Sequence, residues 1–312
     1  MPPALALFLL SPVIGELLSG SAPPVEFFNP VSFLMLVSLY GSGAVVVREL
    51  KVRWGKGVGS VLLLGAAYGV LEEGLMVTSW FSPYWVDLGP MAEYGRWLGV
   101  NWVWAEMLTI YHAVFSITIP ILLVELAYPH RRSESWIGRK MFAALIIVLL
   151  AVTAFGLFLF STMMNYWTPL PQYLFGIAMM TMFVYFAHRL APEWGMQGQK
   201  AFPKTITLWM VTAAASFAFF LGFYSSPYLI PWPVTMLYGP PLVFLLVKFV
   251  KRFNWHEKAT DMHVFALSSG SLTFFLVFAP LQELDKSRKD ITTGMSLVAL
   301  AFALGLIWLG LR

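Results

Sequence analysis

Two adjacent glutamates, Glu72 and Glu73, lie inside an apolar stretch that runs from Gly59 to Val77. An acidic residue near the centre of a membrane-spanning helix costs about 2.5–3.5 kcal/mol on insertion scales. Two in succession point to a water-filled cavity, a proton path or a catalytic site. The plainer alternative is one glutamate tied by a hydrogen bond or ion pair. Four residues of a later apolar stretch, Glu106, Thr109, His112 and Ser116, fall within a wedge of about 120° on an ideal helix. A histidine at that depth serves as general base, proton shuttle or ligand; a core histidine hydrogen-bonded to a tyrosine or carbonyl is the bland reading.

The elements that must position these groups are membrane helices. The chain has 312 residues, 59% of them hydrophobic and 12% charged, with mean hydropathy +0.73. Soluble domains carry about 25% charged residues, so the balance is that of an all-α polytopic bundle in a cell membrane, with the lipid bilayer as its first partner. Apolar runs of spanning length occur near residues 4–20, 30–49, 58–79, 101–127, 141–161, 172–190, 205–225, 228–248, 263–281 and 291–311. That is about ten spans. Residues 1–20 lack a basic leader region, and Pro2, Pro3, Pro12 and Glu16 read as a short, broken first span.

With the N-terminus in the cytoplasm, all but four of the 20 basic residues fall in inner loops or at the C-terminus. The exceptions are Arg96, Lys286, Arg288 and Lys289. Both termini are therefore expected to be cytoplasmic. No dense basic run suggests nucleic-acid binding, and the oligomeric state is not legible. Trp80, Trp85, Trp97, Trp102 and Trp104 crowd the loop around residues 79–100 and read as an interfacial belt, with a lid as the alternative.

Ionisable residues inside spans concentrate in residues 1–127, which form an N-terminal half carrying the polar cluster. Residues 128–312 read as apolar packing or scaffold. The third and fourth expected spans run in opposite directions, which places Glu72, Glu73, Glu106 and His112 at similar depth. At 100° per residue, however, Glu72 and Glu73 point to different partners. Gly65-Ala-Ala-Tyr-Gly69 is a small-residue surface for close helix approach. Glu16 lies toward the outer side of the first span, either joining the cluster or facing the interface. Arg48, Glu49 and Glu125 read as paired charges at inner helix ends.

Other chemistries fall away. Cysteine is absent, which removes disulfides, thiol nucleophiles and Cys-based metal sites. There is no His-Glu-x-x-His, since Thr260 stands where the second histidine of His256-Glu257 would be required. A zinc set of His256, Asp261 and His263 is disfavoured, and no metal or cofactor is expected. No aspartate lies in a span, and Gly41-Ser42-Gly43 is a packing motif before it is a nucleophile.

The order of these motifs resembles the superfamily that unites CAAX-prenyl endopeptidases, PrsW-type proteases and the multi-pass scaffold subunit of gamma-secretase. In the CAAX branch the motifs are Glu-Glu-x-x-x-Arg, then Phe-x-x-x-His, then a histidine four before an asparagine. Glu72-Glu73 matches the first pair, with Val77 in place of arginine. His112 matches the second histidine, with Leu108 in place of phenylalanine. His188 is followed by Pro192 rather than asparagine. The resemblance covers roughly residues 58–127, and the chain as a whole also resembles uncharacterised prokaryotic multi-pass families. It implies a glutamate-type intramembrane peptidase acting on a membrane-embedded or membrane-adjacent peptide. Glu72 or Glu73 would be the base, His112 the oxyanion or proton-transfer group, and Glu106 an orienting carboxylate. A proton-coupled secondary transporter and a non-catalytic scaffold stay open as alternatives.

Overall fold

The computed structural model describes residues 1–194, 198–255 and 259–311. Every expected apolar segment is helical: α1 (Pro3–Leu18), α2 (Pro30–Arg53), α3 (Val58–Met76), α4 (Trp102–Ala127), α5 (Arg139–Met163), α6 (Leu170–Arg189), α7 (Thr205–Leu229), α8 (Trp232–Val250), α9 (Asp261–Leu284) and α10 (Met295–Gly310). In hydrocarbon each backbone N–H and C=O must be satisfied within the chain, which leaves a helix as the form such segments can take. Eight of the helices are long and apolar enough to cross a membrane; α1 and α10 are shorter apolar helices.

Local chemistry sets several starts. The Asn29 side chain accepts from the Val31 N–H at 3.1 Å, with Pro30 opening α2. Asn101 does the same for Trp104 N–H at the start of α4, also at 3.1 Å. Thr260 and His263 form a reciprocal cap on α9.

Helices α3 and α4 form the centre, with 83% and 72% of their apolar windows buried, against 11% for α6 and α8. Glycine permits the central contact. A β-carbon on Gly65 would come within 2.8 Å of the Ala113 Cα, and one on Gly69 within 3.0 Å of the His112 Cβ. Gly41 lies against Phe8 and Gly43 against the Tyr68 ring, so both glycines of the Gly-Ser-Gly triplet serve packing. Around this core α1 and α2 pack together, α7 lies along α9, and α10 packs on α9.

The ends of the helices sort into two faces. At one face Arg48 is fully buried and pairs with Glu49 (3.0 Å) and Glu125 (3.4 Å), and Lys51 also reaches Glu125 (2.6 Å). Lys56 donates to the Leu190 carbonyl (2.9 Å), Arg132 pairs with Asp261 (2.8 Å), and Lys251 sits 4.6 Å over the Trp194 ring. The same face holds Met1, whose carbonyl accepts from Tyr128, and Gly310, which lies against Phe265 near the start of α9. At the other face Gln282 donates to the Ser19 carbonyl, Arg288 to the Gly20 carbonyl and Tyr94 to the Ile230 carbonyl. The loops expected on one side of the membrane thus meet one another. Lys258 and Arg312, assigned to the basic side from sequence, lie outside the described residues, as does His256.

The loop after α3 departs from the expected interfacial belt. Trp80 and Trp104 are buried in the main apolar cluster with Phe81, Leu88 and Met91, whereas Trp97 is exposed. The correction has a backbone cause. Thr78, at φ +54°, turns the chain straight back over the bundle. Arg96 then pins the loop by donating to the carbonyls of Ala92, Phe81 and Ser82. Its end is a two-residue hairpin, β1 (Arg96–Trp97) and β2 (Val100–Asn101), with Leu98 and Gly99 at positive φ as such a tight turn requires.

Candidate functional site

Four helices leave regular α geometry where they meet. Wider π-helical turns occupy Val13–Leu18 of α1, Val37–Gly41 of α2, Val70–Met76 of α3 and His112–Thr118 of α4. Such turns are rare, and they frequently occur at functional sites. Here they carry Glu16, Tyr40, Glu72 with Glu73, and His112 with Ser116.

A π turn frees backbone groups, and side chains from neighbouring helices take them up. Pro120 has no N–H to give to the carbonyl of Ser116, four residues earlier; that carbonyl accepts from the Ser11 hydroxyl at 2.7 Å instead. The Gly15 carbonyl accepts from Tyr111 (2.5 Å) and Ser19 (2.9 Å). The breaks in α1 and α4 are therefore stitched to each other.

His112 is the hub. It is 1% exposed, with Glu72 at 6% and Glu73 at 8%. Its Nε2 lies 3.1 Å from Glu73 Oε1, while Nδ1 is 3.0 Å from Ser116 Oγ and 3.4 Å from Glu72 Oε2. The other oxygen of Glu73 accepts a short hydrogen bond from Ser79, and Ser79 Oγ in turn accepts from the Trp104 indole N–H at 3.0 Å. Glu16, partly buried, accepts a short bond from the Tyr40 hydroxyl. The rings of Tyr40, Tyr68 and Tyr111 surround the imidazole at 6.0, 5.9 and 5.1 Å between centroids.

The structure thus brings Glu72, Glu73 and His112 together, and the two glutamates do not point to different partners as the 100° wheel implied. Residues 70–76 follow the wider turn, in which successive side chains diverge less, so both carboxylates flank one ring. Glu106 is not brought in. Its carboxylate lies against Gly239 in α8 and makes no hydrogen bond to the cluster. Glu106 and His112 stand at the two edges of the wedge read from the sequence, about 120° apart on the regular α-helical turns of Trp102–Tyr111 that join them, so they face different neighbours. Thr109 bonds back to the Ala105 carbonyl.

Nothing in the sequence tied Ser79, Trp104 or Tyr40 to the cluster. Serine, tryptophan and tyrosine are ordinary in apolar helices and their ends, and only the fold brings them to a carboxylate. Of the disfavoured zinc set, Asp261 pairs with Arg132 and His263 caps α9, with its ring on Phe202. His188 packs edge-on against Trp54 at the basic face.

Apolar helices enclosing a buried carboxylate–imidazole cluster define a multi-pass integral membrane protein. Over residues 5–312 the chain matches a family described as an uncharacterized membrane protein family, and it belongs to that family. No curated protein and no solved structure matches it. The family match carries no link to the CAAX-prenyl endopeptidases or PrsW-type proteases.

Proposed function

We propose that this chain is a membrane-embedded hydrolase, most concretely a peptidase acting on a membrane-embedded or membrane-adjacent peptide. The observation that carries the reading is His112 held between Glu73 at 3.1 Å and Glu72 at 3.4 Å in a buried site. A carboxylate paired with an imidazole takes a proton from water and passes it to a leaving amine. Ser79 and Trp104 hold Glu73 in place, so Glu72, with one oxygen lacking a hydrogen-bond partner, is the better candidate to meet the water. His112 then serves proton transfer or the oxyanion. The residues of this reading all lie in residues 1–127, with the C-terminal helices as scaffold.

The test is a screen of membrane-peptide cleavage with wild type, Glu72→Gln, Glu73→Gln and His112→Ala, beside thermal stability of each purified protein. At least one folded glutamine variant is expected to lose turnover, and His112→Ala to lose activity by a factor on the order of 10²–10³. A wild type that cleaves nothing, with variants shifted only in stability, would sink the hydrolase reading.

One observation favours a proton-coupled transporter instead: four interrupted helices meet at the cluster, as at the substrate sites of transporters with broken helices. In that case the same variants abolish proton coupling while exchange of bound substrate survives.

A further inference from the structure

Glu72, Glu73 and His112 each offer a ligand atom, and these atoms lie within 4.8 Å of one another. The surrounding charge is unbalanced. Among the described residues the ion-pair partner of Glu72 and Glu73 is His112 alone, and Glu16 has none. Every other ion pair in the bundle, Arg48 with Glu49 and Glu125 included, brings in a lysine or arginine. Two carboxylates and one imidazole leave excess negative charge in a low-dielectric core, where protons or a cation must neutralise it.

The outer shell is already arranged for an ion. Metal-binding histidines hand their second ring nitrogen to a neighbour, and metal-binding carboxylates are themselves hydrogen-bonded. Here Ser116 takes Nδ1 of His112, and the Trp104–Ser79 relay takes Oε2 of Glu73, leaving Nε2 and Oε1 facing each other at 3.1 Å. Glu72 Oε2 is buried without a hydrogen-bond partner and lies 3.4 Å from Nδ1, the nitrogen that Ser116 also meets, and Glu72 keeps a carboxylate oxygen within 4.8 Å of the Glu73 and His112 ligand atoms.

Trp104 also borders a cavity on the outer side of the bundle. The cavity, of about 250 Å³ beneath the 79–100 loop, is lined by Asp87, Leu88, Trp104 and Tyr224, and Trp104 is the residue that holds Ser79.

We infer that Glu72, Glu73 and His112 form a binding site for one divalent transition-metal ion, with Ser116 and Ser79 as the groups that orient its ligands. One imidazole with two carboxylates suits zinc or manganese better than calcium, which takes oxygen ligands alone. The site deepens the hydrolase reading, on whose residues it rests: the ion would carry and acidify the attacking water, with the glutamates as ligands rather than as the free base. Metal binding itself needs no cleavage, so either idea can fail alone.

The experiment is calorimetric titration of zinc chloride, and separately manganese chloride, into the full-length protein in detergent after chelator treatment, with no peptide present. One equivalent is expected to bind. Affinity should fall at least 100-fold in Glu72→Gln, Glu73→Gln and His112→Gln, and by about 10- to 100-fold in Ser116→Ala, which keeps all three ligands. Thermal unfolding of the metal-free proteins identifies any variant that fails to fold, and Ser116→Ala then carries the test. An X-ray absorption spectrum of the zinc form should show nitrogen and oxygen ligands and no sulfur. A folded wild type that binds neither ion, or binding left unchanged by Ser116→Ala and every folded ligand variant, overturns the inference. So does an absorption spectrum that gives no imidazole shell.

Discussion

Nε2 of His112 lies 3.1 Å from Oε1 of Glu73, although 39 positions and the whole outer loop separate them. The loop makes this possible. Thr78 reverses the chain after α3, Trp80 packs against Gly74, and the Trp80 carbonyl accepts from the Asn101 N–H at the start of α4. The segment that looked like an interfacial anchor clamps the outer ends of the two central helices.

Ser79→Ala tests that clamp. It strips Glu73 of its hydroxyl donor and leaves the Trp104 N–H buried without an acceptor. A hydrogen bond to a charged group contributes about 1.5–3 kcal/mol, so a loss of roughly that size is expected in equilibrium unfolding in detergent. Trp104→Phe removes the indole donor alone and should cost less. Equal stability of Ser79→Ala and wild type would show that the hydroxyl does not hold Glu73.

The α3–α4 contact is tested by Gly65→Ala. Its new β-carbon meets the Ala113 backbone, which cannot rotate away as a flexible side chain could. Overpacking of this kind costs about 1–3 kcal/mol, and the shift of α4 should carry His112 with it. Gly305→Ala is the control, because a β-carbon there meets nothing within 4 Å. Thermal melts in detergent should separate the two, and a Gly65→Ala protein as stable as the control would contradict the close approach.

Topology is tested on the Cys-free background. Arg53 and Ser135 are exposed on the basic face and 3.3 Å apart, so single cysteines at either position should react with an impermeant reagent only from the cytoplasmic side. Cysteines at 97 or 286 should react from outside. Labelling of position 53 or 135 from outside would reverse the orientation.

Glu283 supplies a pH dependence. Its carboxylate accepts from the N–H groups of Gly294 (2.9 Å) and Ser296 (2.7 Å) at the start of α10. Protonation of the carboxylate weakens these charge-assisted bonds, so what they contribute to stability is lost on acidification. The Tm difference between wild type and Glu283→Ala should therefore be present at pH 6–7 and close on acidification below about 4.5. A difference unchanged at low pH would show that the charge does not cap the helix.

Each of the ten apolar segments was legible as a helix, because length and hydropathy decide whether a segment can satisfy its own backbone in hydrocarbon. The pairing of Arg48, Glu49 and Glu125 was legible for a similar reason: long charged side chains at apolar helix ends have few places to go. Glu72, Glu73 and His112 stood out because their cost in a membrane must be repaid by a partner. Which groups became those partners was decided by the fold. A helical wheel assumes one pitch, and the π turn at residues 70–76 broke it, turning Glu72 and Glu73 onto one ring, while Glu106 stayed at the far edge of its wedge, about 120° from His112. The close approach of α3 and α4, with the fold-back at Thr78, then set Ser79 and Trp104 on Glu73, and the interrupted α1 and α2 added Glu16 and Tyr40. Such contacts join residues far apart in the chain through packing and freed backbone groups, and no local pattern of residue types encodes them.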